Sequence, residues 1–400
     1  MKKIMIAVGI ILSVGVIAAI AGYQWLQNSP WGPAITLFAD ETRVENFRAM
    51  DQIFPSRYIE PSTDVWEFTY DERPLPSTYR WQGENHGVID FLERTETTGL
   101  LVVQNGRILH ESYYQGNDET SPATSWSVAK SFLSALVGIA LEQGDISSID
   151  DPVTDYVPEL VGSGYDGVPI KHILTMSSGV AFDEDYDNML SDINMIFVRA
   201  FAFGTPMVDT IAQLERVREP GIYNDYISSD SMVLGLLLEQ ATGQPVSDYL
   251  EAMLWQPAGM EAEAFWNLDR TGTEISFCCL NATLRDYARF GRLYLNNGQR
   301  DGNQIIPADW VAASTTPQGS HLEPGDNPDS FWTLGYGYQW WVPEEPDGDY
   351  LAIGIWGQYI YVYPRYDMVI VKSSTDYWFD ENDHETLALF RSIASHYGEQ

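Results

Sequence analysis

Strand-forming runs cluster at the two ends of this chain and leave a helical stretch between them. Near the C-terminus, "GYGYQWWV", "DYLAIGIW", "QYIYVYP" and "DMVIVKSS" are β-rich and separated by turn formers, and "ENDHETLALFRSIASHYG" closes the chain as an amphipathic helix. Far upstream, "GLLVVQNGRILHESYY" is two β-type runs around Asn105-Gly106, the dipeptide that a tight primed hairpin turn prefers. From Ile170 to about Gly259 the apolar positions instead follow helical spacing, as in "SSDSMVLGLLLEQATG", broken by Gly- and Pro-bearing loops. This order predicts an α/β (α+β) architecture. An antiparallel sheet is flanked by helices, an all-α lobe is inserted at about 146–275, and a cleft lies between the two. The sheet-and-lobe domain spans 97–400. Residues 28–96, rich in Pro, Asp, Glu and aromatics without a sustained period, read as a tether and wrapping segment.

Residues 1–27 form a different kind of segment. After Met1-Lys2-Lys3 come 20 residues without a charge, and the next charged residue is Asp40. At ~1.5 Å rise per residue such a run matches the ~30 Å hydrocarbon core of a bilayer. The lysines before it favour a cytoplasmic N-terminus, which expects a membrane anchor with the body on the far side. A cleaved signal peptide is the rival, since Ala19-Ile20-Ala21 resembles an A-x-A site, but the run exceeds the usual ~7–15-residue signal core. Either reading exports the body, to an extracytoplasmic or periplasmic location.

The 400 residues carry 57 acidic against 22 basic side chains, a formal charge of −35. That balance opposes binding to nucleic acid and to anionic lipid headgroups. Spread along the chain rather than blocked, it reads as a solvated surface. The two cysteines, Cys278 and Cys279, are adjacent; neighbouring cysteines rarely bridge each other, so both are expected as buried small hydrophobes. The six histidines, His86, His110, His172, His321, His384 and His396, have no partner at metal-ligand spacing. No metal or other cofactor is therefore expected.

The chemistry begins at "SWSVAKSFLSALVGIALEQG", from Ser125 to Gly144. Phe132, Leu133, Leu136, Val137, Ala140 and Leu141 mark a buried helical face, and Gly144 supplies the stop. Ser127 and Lys130 fall in the first turn, three residues apart and on one face. A lysine whose pKa is lowered by burial and neighbouring cations can accept the serine proton. Such a pair needs a proton shuttle. Tyr226, in "EPGIYNDYISSDSMVLG", precedes a second apolar helix, with Ser228 two residues on; a phenol near cations can approach the pKa of a general base. Ser-x-x-Lys is common as a helix cap followed by a solvated lysine, and Tyr226 alone would be a packing residue.

Taken together, Ser127-Val128-Ala129-Lys130, Tyr226-Ile227-Ser228 and the strand "AIGIWGQYIYVYP" resemble the serine β-lactamase and penicillin-binding-protein superfamily in its class C branch. "HILTMSSGV" at 172–180 resembles that branch's helical-lobe segment, and "LNATLRDYARFGRLYLNNG" its return into the α/β lobe. "GYGYQWW" and the GxxGQ pattern are most similar to carboxylesterases and 6-aminohexanoate-dimer hydrolases. The resemblance implies a serine hydrolase working through an acyl-enzyme on Ser127, with Lys130 and Tyr226 moving protons. It further implies an oxyanion hole of the Ser127 and Ile355 N–H groups, with Gln358 as the fallback donor. Tyr186, Gly354 and Trp356 are the implied substrate contacts. Trp340 and Trp341 suit either the floor of an acyl pocket or the core, and His172 suits a structural role.

One departure bears on substrate. Penicillin-recognising members carry Lys-Thr-Gly on the cleft strand, whereas here the stretch is Ala352-Ile353-Gly354 or, in another register, Ile355-Trp356-Gly357. Neither offers a cation or a hydroxyl for a substrate carboxylate. A neutral small-molecule ester or amide is therefore the expected substrate. The alternatives are a penicillin-binding protein, D-Ala carboxypeptidase or β-lactamase, which the missing Lys-Thr-Gly opposes, and a non-catalytic membrane-tethered sensor, which the complete Ser127, Lys130, Tyr226 set opposes.

Overall fold

The structure is a computed structural model that describes residues 36–399 together with Gly22. Apart from Gly22, the uncharged N-terminal run lies outside the described residues. Among the described residues no helix is long and apolar enough to cross a membrane. The chain divides into two compact units, Met1–Phe54 and Pro55–Gln400. In the first, two short helices, Arg43–Arg48 and Met50–Ile53, follow a turn tied by the Asn46 side chain to the Thr36 carbonyl at 2.9 Å.

The second unit is built on one eight-stranded sheet. Its strands in chain order are β1 (Thr69–Tyr70), β2 (Thr97–Gln104), β3 (Arg107–Tyr113), β4 (Gly335–Tyr336), β5 (Trp341–Val342), β6 (Tyr350–Gly354), β7 (Gln358–Tyr363) and β8 (Met368–Ser374). They lie in the order β4-β5-β6-β7-β8-β2-β3-β1, antiparallel throughout except where β1 runs parallel to β3 at the edge. The two strand-rich stretches of the sequence meet at β8 and β2, where Val369 pairs with Val103 and Lys372 with Leu100. Asn105 (φ 51°) and Gly106 (φ 71°) both take the left-handed conformation that the expected β2–β3 turn demands.

Helices cover both faces, which is why β8 reads as an unbroken buried run rather than an alternating one. Four helices matter here: α1 (Ala129–Gln143), α2 (Ser228–Thr242), α3 (Leu284–Leu295) and α4 (Phe379–Gly398). Leu100, Val102, Tyr359, Tyr361 and Ile370 pack with Leu389, Phe390 and Ile393 of α4. On the opposite face α3 lies close because Gly291 has no side chain; a Cβ there would sit 2.6 Å from Val369 Cγ1 and 3.0 Å from Ile360 Cγ2. Phe132 of α1 stacks on Phe290 of α3 at 3.6 Å between ring centroids, joining the next layer. Burying an aromatic of this size is worth roughly 1.5–3 kcal/mol. α1 is buried nearly all round rather than on one face, as befits a helix enclosed between layers.

Helices fill the inserted stretch from Ile170–Leu174 through Val246–Leu250. The chain then returns to strand at Ala264–Asn267, inside the segment expected to be all-helical. That strand belongs to a second, four-stranded antiparallel sheet with Ser56–Ile59, Leu280–Ala282 and Ala123–Thr124. Its bulky run "AFWN" is buried at all four positions, a pattern a short strand shares with a buried helical turn.

The cysteine expectation needs correction. Cys278 and Cys279 are buried but joined to each other in a disulfide across a Cα–Cα distance of 3.8 Å. Cys279 takes the left-handed backbone conformation, φ 70°.

Candidate active site

The edge of the small sheet leads directly into the serine. After Ala123–Thr124, the Ser125 N–H donates to the Leu280 carbonyl at 2.7 Å. Trp126 then turns the chain sharply with φ 42°, an unfavourable conformation for a bulky residue and one that recurs at functional sites. Ser127 sits in the short 3₁₀ turn Trp126–Val128 that runs into α1, and Lys130 follows in the first α-helical turn. Gly144, φ 84°, ends the helix as its sequence position predicts.

Lys130 is 2% exposed, and its ammonium nitrogen is surrounded by three oxygens: Ser127 Oγ at 2.7 Å, the Phe277 carbonyl at 2.9 Å and Ser228 Oγ at 3.3 Å. The Tyr226 ring lies beneath it, 4.9 Å from Nζ to the centroid. Burial lowers the Lys130 pKa to about 7, opposed by the Glu184 carboxylate. Burial alone therefore does what the sequence reading ascribed in part to neighbouring cations. At neutral pH a large fraction of such a lysine is uncharged and free to accept a proton.

Tyr226 departs from expectation in the opposite sense. Its phenol is pushed above the usual value by burial first and then by Glu184, while its contact with Ser127 acts the other way. It is held as a neutral hydroxyl, a proton donor, and cannot act as an independent base. The main reason is burial, to which the Glu184 carboxylate and then Asp383 add; the cations expected beside the phenol do not lower it.

The cleft strand reaches the serine at Gly354. A Cβ at that position would lie 2.5 Å from the Ser125 carbonyl oxygen and 3.0 Å from the Ser127 nitrogen. Only glycine lets backbone approach this closely. Ile355 follows immediately, partly exposed at the end of β6, while Gln358 opens β7 opposite Gly354 in the ladder. The Gln358 side chain is committed elsewhere, donating to the Trp356 and Ser374 carbonyls at 3.0 and 2.7 Å. Trp356 is buried, with its ring edge-on to Tyr377 at 5.7 Å. Gly354→Ala must push the strand away from the serine turn. We expect it to lower kcat/KM about hundredfold and to destabilise the fold by about 1–3 kcal/mol, read from ester turnover and thermal unfolding; wild-type turnover would show that this approach is not needed.

Tyr186 is also drawn in. Its hydroxyl donates to Glu184 Oε1 at 2.7 Å, and its ring meets Phe379 at the start of α4. The paired tryptophans divide between faces. Trp341 lies against Tyr226 at 5.3 Å, whereas Trp340, fully buried, packs on Tyr294 of α3 and on Tyr350. Both are buried core residues, and Trp341 also backs Tyr226. The His172 ring fills the space beside Gly221, where any side chain would overlap it, in keeping with a structural role.

Two groups escaped the sequence reading. The Phe277 carbonyl comes from backbone, which leaves no residue-type signature. Glu184 lies in the acidic loop "FDEDYDNML", where nothing distinguishes it from Asp183, Asp185 and Asp187 until folding turns it inward toward Ser228.

An antiparallel sheet sandwiched by helices, carrying a buried serine–lysine pair beside a tyrosine at the mouth of a helical insertion, defines the serine-active β-lactamase class of fold. The chain belongs to the Beta-lactamase family, whose profile matches residues 88–390. It is 32% identical over 292 residues to the 6-aminohexanoate-dimer hydrolase of Paenarthrobacter ureafaciens, covering 71% of this chain and 74% of that one. Among solved structures, a Bacillus anthracis protein provisionally assigned as a 6-aminohexanoate-dimer hydrolase superposes with a TM-score of 0.83 at 24% identity, over 91% of this chain and 96% of that one. A class C β-lactamase superposes with a TM-score of 0.55 at 18% identity, over 76% and 94% respectively. These relatives are hydrolases, and the chain is a serine hydrolase of this family.

Proposed function

We propose that the protein cleaves a neutral ester or amide through an acyl-enzyme on Ser127. The observation that carries this reading is the 2.7 Å contact between Ser127 Oγ and Lys130 Nζ, with burial holding that lysine near pKa 7. As Ser127 Oγ forms its bond to the substrate carbonyl carbon, its proton passes to neutral Lys130. Tyr226 gives its proton to the departing alcohol or amine, and the Lys130 ammonium restores it. In deacylation a water attacks the ester carbon; its proton travels back through the same pair and ends on Ser127 Oγ. The Ser127 and Ile355 N–H groups hold the oxyanion, each such donor being worth roughly 3 kcal/mol in comparable hydrolases. Tyr186, Gly354 and Trp356 line the substrate.

The 6-aminohexanoate-dimer hydrolase relative supports an amide as well as an ester as substrate. The uncharged run behind Lys2 and Lys3 supports export, with the hydrolase domain outside the cytoplasm and tethered to the membrane. Turnover of p-nitrophenyl butyrate and of a linear uncharged amide by the full chain tests the catalytic reading. Hydrolysis of either supports it, and folded protein inert towards both overturns it.

A further inference from the structure

Ser228, the first residue of α2, stands between two charged groups. Its backbone N–H donates to Glu184 Oε2 at 2.8 Å and its hydroxyl to Glu184 Oε1 at 2.5 Å. On the other side Lys130 Nζ lies 3.3 Å from the same hydroxyl oxygen. A serine hydroxyl has one hydrogen and two lone pairs, and an ionised carboxylate only accepts. With that hydrogen given to Glu184, Ser228 presents lone pairs to Lys130 and must accept there. The Phe277 carbonyl, 2.9 Å away, is an obligatory acceptor as well. A neutral amine has two N–H bonds and one lone pair. Two neighbours that can only accept consume both N–H bonds, and the lone pair is left facing Ser127 Oγ.

We propose that Glu184 is a positioning residue of this hydrolase: it sets the direction of the Ser228 hydroxyl, thereby aims the Lys130 lone pair at Ser127, and steadies the ammonium formed when Ser127 loses its proton. The inference rests on the serine-hydrolase reading above. Without the carboxylate, the Ser228 hydroxyl is free to turn its hydrogen toward Lys130, competing with Ser127 for the lone pair.

The charged surroundings make the effect separable from packing. Glu184 is the charge that acts on Lys130, and it raises the lysine's proton affinity against burial. Burial raises the Glu184 pKa above the usual carboxylate value, and Lys130, Ser228 and Tyr186, which face it, oppose that rise and favour its charged form. Tyr226 senses both Glu184 and, more weakly, Asp383 of α4. Removing the Glu184 charge should therefore lower the Lys130 pKa further and move the acid limb of kcat/KM to lower pH, while misaiming lowers the rate on the plateau.

The test is the pH profile of p-nitrophenyl butyrate hydrolysis for the wild type, Glu184→Gln and Ser228→Ala, with fluorophosphonate labelling of each. Glu184→Gln is expected to shift the acid limb down by about one pH unit, a tenfold change in proton affinity, and to lower the plateau about tenfold or more. Ser228→Ala keeps the charge and loses the oriented hydroxyl, so its plateau should fall similarly with the acid limb close to wild type. An acid limb that stays in place or moves up in Glu184→Gln overturns the proposal, as does a wild-type plateau in Ser228→Ala. Should Glu184→Gln fail to fold, the Ser228→Ala plateau decides alone. A wild type that neither labels at Ser127 nor hydrolyses the ester instead removes the hydrolase reading itself.

Discussion

Lys130→Ala is expected to lower kcat/KM for p-nitrophenyl butyrate by about 10³- to 10⁴-fold, the upper range for loss of a general base. The lysine is the group that can take the Ser127 proton at neutral pH: it contacts Ser127 Oγ at 2.7 Å and titrates near 7. Alanine leaves the serine beside a phenol whose own pKa is raised by burial and Glu184, and such a phenol does not accept the proton. Tyr226→Phe should be nearly as damaging toward a linear amide, because the amine then has no donor with which to leave. The double variant should be little worse than either single one, since two residues that pass one proton fail as a unit. Multiplying losses would mean that Lys130 and Tyr226 act independently.

The second large effect concerns substrate charge. The specificity constant for p-nitrophenyl butyrate should exceed that for nitrocefin by at least about a hundredfold. A β-lactam sets a carboxylate beside β6, where the chain offers Ala352, Ile353 and Gly354 in a protein of formal charge −35. One buried cation lies in the same sheet, Lys372 on β8, separated from β6 by β7. It is 1% exposed and turned inward, bonded to Ser374 Oγ at 2.9 Å and drawn by Asp376 and Asp383. It cannot meet a ligand in the cleft. Stripping water from an unpaired carboxylate costs several kcal/mol, and each ~1.4 kcal/mol is tenfold. Nitrocefin turnover matching the ester, and abolished by replacing a single arginine, would return the protein to the penicillin-recognising group.

How much of this was legible in the sequence follows from the range of the interactions involved. The Asn105-Gly106 turn, the Gly144 stop and the Ser127–Lys130 juxtaposition are set within a few residues, and each was readable because local geometry decides it. The helical lobe's limit was misjudged at Ala264 because a short, fully buried apolar run has no period to betray a strand. The Cys278–Cys279 bond escaped because adjacent cysteines rarely bridge each other, and residue types alone give no sign of the exception. Glu184 and the Phe277 carbonyl reach Lys130 from distant parts of the chain. Sequence spacing holds no record of such encounters. Tyr226 teaches the same lesson about electrostatics: its position was legible, but the sign of its pKa shift was set first by burial and then by a carboxylate, both of which only the fold supplies.

The central claim is that Ser127 is the nucleophile. Intact-mass and peptide-level mass spectrometry after treatment with a fluorophosphonate tests it directly, with Ser127→Ala in parallel. The account predicts a single adduct, on the peptide containing Ser127, in step with loss of ester hydrolysis and absent from Ser127→Ala. An adduct on another serine, or full hydrolytic activity in folded Ser127→Ala, would contradict it.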